Sequence, residues 1–186
     1  MKVRKTAATV DQPKAGTHMA RLVGIVDMGH QPGFEWQGKE IKSAYKLRLT
    51  YELPNSTMED GRPHWVHEEV TNSDNEKATL AMRVRTLRGD FSDLSTLINK
   101  PCMVTIKVND KGYAKIDGQG GVGGVPEGFD VPELTNPTFI FDIDNPDLDM
   151  FDSLPEFIQE RIISNLDYEG SALEKAMLAR DAGAQY

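Results

Sequence analysis

The sequence predicts a mainly β protein in which a small barrel is followed by an acidic, partly helical arm. Five segments between residues 18 and 117 contain apolar side chains in a strand-like pattern, and one segment with helical spacing lies between the third and the fourth. Residues 1–117 carry 18 Lys and Arg against 15 Asp and Glu, whereas residues 118–186 carry 3 against 14. A mildly basic body is therefore joined to a strongly acidic arm.

The N-terminal part of the chain predicts a leader and one strand. Residues 1–17 combine four Lys and Arg with small and polar residues without periodicity, which predicts a flexible basic leader. An apolar run from residue 18 to residue 28 is interrupted by Gly24 and predicts a first strand with a bulge or bend. Turn residues around Phe34 and Trp36 predict a long loop over residues 29–42.

The second and third strands are predicted by strict alternation. In residues 43–53 the odd-numbered side chains from Tyr45 onward are apolar, while Lys46 and Arg48 lie on the opposite face. In residues 64–70 the valines share one face, and Trp65 and His67 share the other. The two strands therefore present one apolar face and one polar face each.

A helix and two more strands follow. Ser73 and Glu76 fit a capping box, and apolar spacing up to Gly89 predicts a helix of about four turns, on which we expect Arg83 to face solvent. Residues 102–109 and 113–117 predict two strands joined by a tight turn. Three strands, a helix and two strands is the order of the five-stranded OB barrel, which we assign to residues 18–117. Other small barrels with an inserted helix are alternatives.

Beyond the barrel, composition rather than periodicity guides the prediction. Gly, Pro and acidic residues over 118–152 predict an acidic linker. Ser153 and Glu156 fit a second capping box ahead of an apolar run, which predicts a helical acidic tail over residues 153–186.

The strand register predicts a surface for single-stranded nucleic acid. Cations interleaved with aromatic rings suit such a ligand, because the cations neutralise phosphates and bases of any identity stack on the rings. In OB folds the loops joining strands one to two and four to five flank this surface. The candidate DNA-binding residues are Phe34, Trp36, Lys39, Lys42, Lys46, Arg48, Trp65, His67, Lys107, Lys111, Tyr113 and Lys115. The alternative is a solvated face with Trp65 covering the barrel end and a self-packed loop around Phe34 and Trp36.

Other classes of function lack support in the sequence. A single cysteine, Cys102, excludes an intramolecular disulfide, and neither a signal peptide nor a membrane-spanning run is present, so we expect a cytoplasmic protein without a membrane partner. The acidic run over residues 142–153 lacks the Gly and Glu of a calcium loop. No catalytic motif is evident. We expect no metal, no cofactor and no enzymatic activity.

Several stretches resemble a family of bacteriophage OB-fold single-stranded DNA-binding proteins. The stretches are AGTHMARLVGIVDMG, LTYELP, VTNSDNEKATLAMRVRTLRGDF, LINKPCMVTIKV, YAKIDGQGG and FDSLPEFIQERI. The resemblance implies coating of single-stranded DNA during phage replication, recombination or repair, in the cytoplasm of the host bacterium. It also implies that the acidic arm contacts replication or recombination proteins, for which the candidate residues are Phe157, Ile158, Ile162 and Tyr186.

Two functional hypotheses follow from these observations. In the first, the basic aromatic face binds single-stranded DNA and the acidic arm competes for that face or recruits partners. In the second, the barrel is a protein-interaction module of a replication complex and does not itself bind DNA.

Overall fold

A computed structural model describes residues 10–184 of the chain. The strands are β1 (Gly16–Gln31), β2 (Phe34–Trp36), β3 (Lys39–Ile41), β4 (Ala44–Thr57), β5 (Pro63–Thr71), β6 (Pro101–Val108), β7 (Ala114–Ile116), β8 (Val122–Gly123) and β9 (Phe139–Phe141). The helices are α1 (Thr79–Thr86), α2 (Leu148–Ser153), α3 (Glu156–Ile163) and α4 (Ala172–Gly183), with short 3-10 helices at Leu94–Leu97 and Gln119–Gly121.

Five antiparallel strands form a nearly closed, barrel-like sheet. Their order is β5-β4-β1-β6-β7, and the outer strands β5 and β7 lie against each other. Helix α1 follows β5 and precedes β6 in the chain. Two short strands extend the sheet, because β8 pairs with β6 and β9 pairs in parallel with β1. Strands β2 and β3 form a separate hairpin.

Strand β1 is buried on both faces, which explains why its apolar residues form a run instead of alternating. Leu22 and Ile25 belong to the barrel core, whereas Val26 and Met28 belong to a second core outside the barrel. The register shifts between Leu22 and Gly24, as expected from the glycine, and again after Asp27. These irregularities let one strand supply side chains to two cores.

The barrel interior follows the predicted alternation from Leu47 onward, whereas Tyr45 is 52% exposed and does not enter the core. Leu47, Leu49, Tyr51 and Leu53 of β4 are at most 3% exposed, and they pack with the inward residues of the neighbouring strands. Further contributors from β1, β5, β6 and β7 include Ala20, Val66, Val70, Cys102, Val104, Ile106 and Ile116.

Arg83 is fully buried, so the expectation that it faces solvent is wrong. Its guanidinium donates to both Glu68 carboxylate oxygens, at 2.7 and 2.9 Å, and to the carbonyl oxygens of Gly118 and Gln119. The Tyr51 hydroxyl donates to the same carboxylate at 2.8 Å. This network ties α1 to β5 and to the turn after β7, where the barrel closes.

Neither predicted capping box forms. Helix α1 begins at Thr79, because Ser73 accepts a hydrogen bond from the Asn75 backbone N–H in a local turn instead of starting a helix. Ser153 ends α2, and its hydroxyl donates to the Met150 carbonyl, so α3 follows Pro155 without a side-chain cap. The helix before β6 is consequently two turns long rather than four.

The segment predicted as a linker, residues 118–152, packs on the barrel. Val122 of β8 enters the main core, and the backbone of Gly121 approaches Ile116 so closely that a Cβ would lie 2.7 Å from its Cγ2. Further along, Phe141 and Phe151 contribute rings to the second core. Composition alone gave no indication of this packing, because the short apolar stretches of this segment, such as residues 139–141, are set among Gly, Pro and Asp.

Part of the predicted leader also contacts the barrel. Asp11 bonds to the His64 ring at 2.8 Å and accepts from the Glu59 backbone N–H, while β1 begins at Gly16. The remainder of the leader, residues 1–9, lies outside the described residues.

Candidate nucleic-acid interface

Four of the predicted residues form a contiguous patch on the outside of β4 and β5. The register places Lys46 opposite Thr71, Arg48 opposite Glu69, Thr50 opposite His67 and Glu52 opposite Trp65. The parity prediction is confirmed, because the side chains of the intervening residues Leu47, Leu49 and Tyr51 are buried in the barrel. Contact of this patch with DNA stays a prediction.

Cross-strand bonds hold this patch in place. Lys46 Nζ donates to Thr71 Oγ1 at 2.9 Å, and the Thr50 hydroxyl and His67 Nδ1 are 2.9 Å apart. At the end of the patch, Trp65 Nε1 donates to Glu52 Oε2 at 3.0 Å. On the polar face, residues that lie opposite each other on the two strands are thus joined by hydrogen bonds.

The β2–β3 hairpin presents the predicted loop aromatics to solvent. Phe34 and Trp36 are 58% and 61% exposed and pair with Ile41 and Lys39 across the hairpin. Glu35 pairs with Glu40, and alternation puts the two acids on the other face. One face of the hairpin is therefore aromatic and basic and the other acidic.

The hairpin turn is made by residues 37 and 38, both at positive φ. Lys42 follows the hairpin and is exposed.

The residues predicted on β6 and β7 lie beside this patch. Lys107 and Lys115 pair across the two strands, and Lys107 Nζ forms an ion pair with Asp117 at 3.1 Å. Lys115 shares a surface groove with His67 and Glu69, which makes the face continuous from β4 to β7. Lys111 and Tyr113 are exposed on the β6–β7 turn, where Gln12 bonds to the backbone on both sides of Tyr113.

The C-terminal segment (residues 134–184) covers part of this face. The Phe139 ring packs on the Trp65 ring with centroids 5.7 Å apart, and the Arg48 guanidinium lies 5.7 Å from the centre of the Phe157 ring. Strand β9 places Phe139, and α3 places Phe157. Trp65 and Arg48 are consequently half-buried, while Trp36 is not.

Glu52 is the polar anchor of the covered region. Its carboxylate is fully buried and accepts three hydrogen bonds, from Trp65 Nε1, from the Thr135 backbone N–H at 2.6 Å and from Asn136 Nδ2 at 2.7 Å. One side chain of β4 thus fixes both the candidate stacking residue and the start of the C-terminal segment.

Two further polar contacts hold the segment at the other end of the patch. The Arg161 guanidinium donates two hydrogen bonds to the Glu69 carboxylate. The Tyr45 hydroxyl donates to Asp167 at 2.6 Å, and the His30 ring, stacked on Tyr45, lies beside the same carboxylate. The contact with β5 therefore pairs a cation of the segment, Arg161, with an acid of the barrel, Glu69, rather than an acid of the segment with a cation of the barrel.

The second core supplies most of the apolar contact between the segment and β1. It joins Val26 and Met28 to buried side chains of β9, of the helices and of the α2–α3 connection, namely Phe141, Phe151, Leu154, Ile158, Ile162 and Leu173. Removal of the segment would therefore expose the outer apolar face of β1.

Burial changes the charge state of the covered face. Protein atoms around the groove desolvate the His67 imidazolium, and together with the Arg48 charge they lower the pKa of His67 to about 4, so this ring is neutral at pH 7. Burial also lowers the pKa of Arg48, against the effect of Glu69, but an arginine retains its proton. The fixed cations of the face are accordingly Lys46, Arg48, Lys107 and Lys115.

The predicted partner-binding residues are separated by the fold. Phe157 is 53% exposed, but Ile158 and Ile162 are 1% and 0% exposed in the second core and are not accessible in this conformation. Tyr186 lies outside the described residues.

Sequence reasoning did not single out Glu52, Phe139 or Arg161. Glu52 has the same parity as Lys46 and Arg48, and an acidic residue among these cations was the signal that the sequence offered. Phe139 and Arg161 lie in the range treated as arm, where their contacts depend on tertiary packing.

Within residues 10–184, no group of His, Cys, Asp and Glu side chains has the arrangement of a metal site. None of the helices in the described range has the length and hydrophobicity needed to span a bilayer. Comparison of the chain with family models, with curated proteins and with solved structures finds no match.

Proposed function

We propose that this protein binds single-stranded DNA with little sequence preference and that its barrel is an OB fold. The strand order β5-β4-β1-β6-β7 with a helix between β5 and β6 supports the fold proposal. The sequence resemblance noted above supports a role in phage replication, recombination or repair.

The observation that carries the proposal is the continuous basic face next to an exposed aromatic hairpin. Lys115 lines a groove with His67, and Lys46 and Arg48 lie on the adjoining face of β4. Phe34 and Trp36 are exposed on β2, where Trp36 pairs with Lys39 of β3. Stacking on such rings contributes about 1–3 kcal/mol per base whatever the base, and the cations neutralise phosphates. A strand crossing the hairpin and the β4–β7 face would use both kinds of contact.

The C-terminal segment competes with the strand in this proposal. The contacts of Phe139 with Trp65 and of Phe157 with Arg48 block the path of a continuous strand across these side chains. Competition therefore depends on apolar docking as well as on the acidic character of the arm. Partner proteins would use the exposed side of the same arm, which includes Phe157.

A titration of the full chain with labelled oligo-dT, duplex DNA and RNA at two salt concentrations tests the proposal. We expect preference for the single strand over the duplex, with affinity falling as salt rises because bound phosphates release counterions. Equal affinity for the duplex, or no binding to oligo-dT at low salt, would contradict it.

A protein-interaction module is the second candidate. The hairpin favours it, because Phe34, Trp36 and Ile41 form an exposed apolar face of the kind that protein partners bury. Absence of oligo-dT binding in the same titration would make this the better interpretation.

A further inference from the structure

A cavity of about 470 Å³ lies between the barrel and the C-terminal segment. The barrel wall consists of Val26, Arg48, Thr50, Trp65 and His67, and the opposite wall is formed by parts of residues 136–139 and 150–158. The volume is within the range of small-molecule sites, and the lining is largely apolar with a few polar groups.

Arg48 brings to this cavity a cation whose contact with the Phe157 ring, at 5.7 Å, uses no N–H donor. Within residues 10–184 its guanidinium makes no hydrogen bond, and its ion pair with Glu69 is long, at 3.7 Å. Glu69 is engaged by Arg161, which donates two hydrogen bonds to it. The planar guanidinium group of Arg48 can therefore donate two hydrogen bonds to a phosphate or a carboxylate, which arginine binds in a bidentate manner.

The neighbouring wall suits a flat heteroaromatic ring. Trp65 and Phe139 border the cavity with their rings inclined by 32°, and together they offer an aromatic surface. His67 uses Nδ1 for its bond to Thr50, while Nε2 makes no hydrogen bond within the described residues. A ring with polar edges and an attached anion matches these three features.

We infer that this cavity binds a nucleoside monophosphate, with the base against Trp65 and the phosphate on Arg48. The ligand contacts both walls and so stabilises the docked C-terminal segment. Its effect on strand binding rests on the proposed function: a bound nucleotide keeps the segment on the face and lowers the affinity for single-stranded DNA.

The test uses the full chain with Trp36→Phe, because the chain has two tryptophans and Trp65 then becomes the sole reporter. We expect dTMP to change the Trp65 fluorescence saturably, and thymidine or inorganic phosphate alone to bind more weakly. Arg48→Gln should weaken dTMP binding about ten- to a hundredfold, as expected for loss of charged hydrogen bonds. Lys77→Gln removes an exposed cation outside both the cavity and the candidate interface and should leave dTMP binding unchanged.

Thr138→Phe provides a second variant, because Thr138 is exposed at the cavity wall and a ring there would fill the space. We expect it to abolish dTMP binding without loss of fold. The inference is overturned if dTMP gives no saturable signal, if phosphate binds as well as dTMP, or if both cavity variants bind dTMP like the parent.

Oligo-dT binding, measured by fluorescence anisotropy on the parent and on Thr138→Phe with Trp36 retained, separates the two proposals. If both hold, saturating dTMP weakens oligo-dT binding, and Thr138→Phe removes that effect. Oligo-dT binding without dTMP binding rejects the cavity site and leaves the proposed function intact. Binding of dTMP without oligo-dT binding rejects the proposed function and retains the site.

Discussion

The Phe139 ring occupies the space that a side chain at residue 24 would need. A Cβ built on Gly24 would lie 2.1 Å from Phe139 Cζ, and Gly24 is the residue of β1 that pairs with Phe139 of β9. Phe139 in turn packs on Trp65. The absence of a side chain at one position of β1 thus allows the C-terminal segment to reach the candidate interface.

Gly24→Ala should displace Phe139 from β1. Overpacking of this kind costs about 1–3 kcal/mol, and displacement of the segment relieves it without altering the barrel interior. We expect Trp65 to become more exposed and oligo-dT affinity to rise, measured by tryptophan emission and by fluorescence anisotropy.

Gly124→Ala is the matched control, because a Cβ there meets nothing within 4 Å. If Gly24→Ala exposes Trp65 and leaves the oligo-dT affinity unchanged, the segment does not compete with the strand.

Glu52→Gln should weaken the docking of the C-terminal segment on the barrel, because it disturbs the hydrogen bonds that hold the start of the segment. The carboxylate accepts three N–H groups, and an amide in its place turns one acceptor into a donor that faces another donor. We expect a loss of about 1–3 kcal/mol in the free energy of unfolding, measured by urea denaturation. Full stability in the variant would show that Glu52 is not an anchor.

Arg83→Met should destabilise the barrel more than any change on the outer face. The substitution leaves Glu68 half-buried without its cation, which typically costs about 3–5 kcal/mol. The double variant with Glu68→Gln should recover part of that loss in urea denaturation. A loss below about 1 kcal/mol for Arg83→Met would contradict a role of this pair in barrel closure.

The stability should depend on pH through His67. Its pKa is about 4 in the folded protein against an ordinary value of 6.5, so the unfolded chain binds the proton more readily. The contribution of His67 is complete above pH 6.5 and is lost as the pH falls towards 4. His67→Gln should reduce the loss of stability over this window in urea denaturation at several pH values. Identical pH profiles for the two proteins would contradict the shift.

The barrel strands could be predicted from the sequence because each has one buried and one exposed face. Alternation in residues 43–53 and 64–70 gave the register that places Lys46 beside Thr71 and Trp65 beside Glu52. The bulge at Gly24 followed from the glycine, although its role in admitting Phe139 did not.

The C-terminal segment could not be placed from the sequence. Its apolar stretch at residues 139–141 is only three residues long, and Asp, Asn and Pro separate it from Phe151, so no sustained period of two or 3.6 connects these residues. They are held by contacts with β1, which is distant in the chain. Arg83 was misassigned for a similar reason, since its partner Glu68 belongs to β5 and not to its own helix.

Binding of oligo-dT to a hairpin variant tests the proposed interface most directly. Phe34 and Trp36 are exposed and can be changed together to Ala without disturbing either core, and Phe129→Ala removes an aromatic ring of similar exposure, 54%, elsewhere. We expect the double variant to lose at least about tenfold in affinity, as for the loss of one or more stacked bases, and Phe129→Ala to bind like the parent. Equal affinity of the parent and the double variant would contradict a strand path across the hairpin.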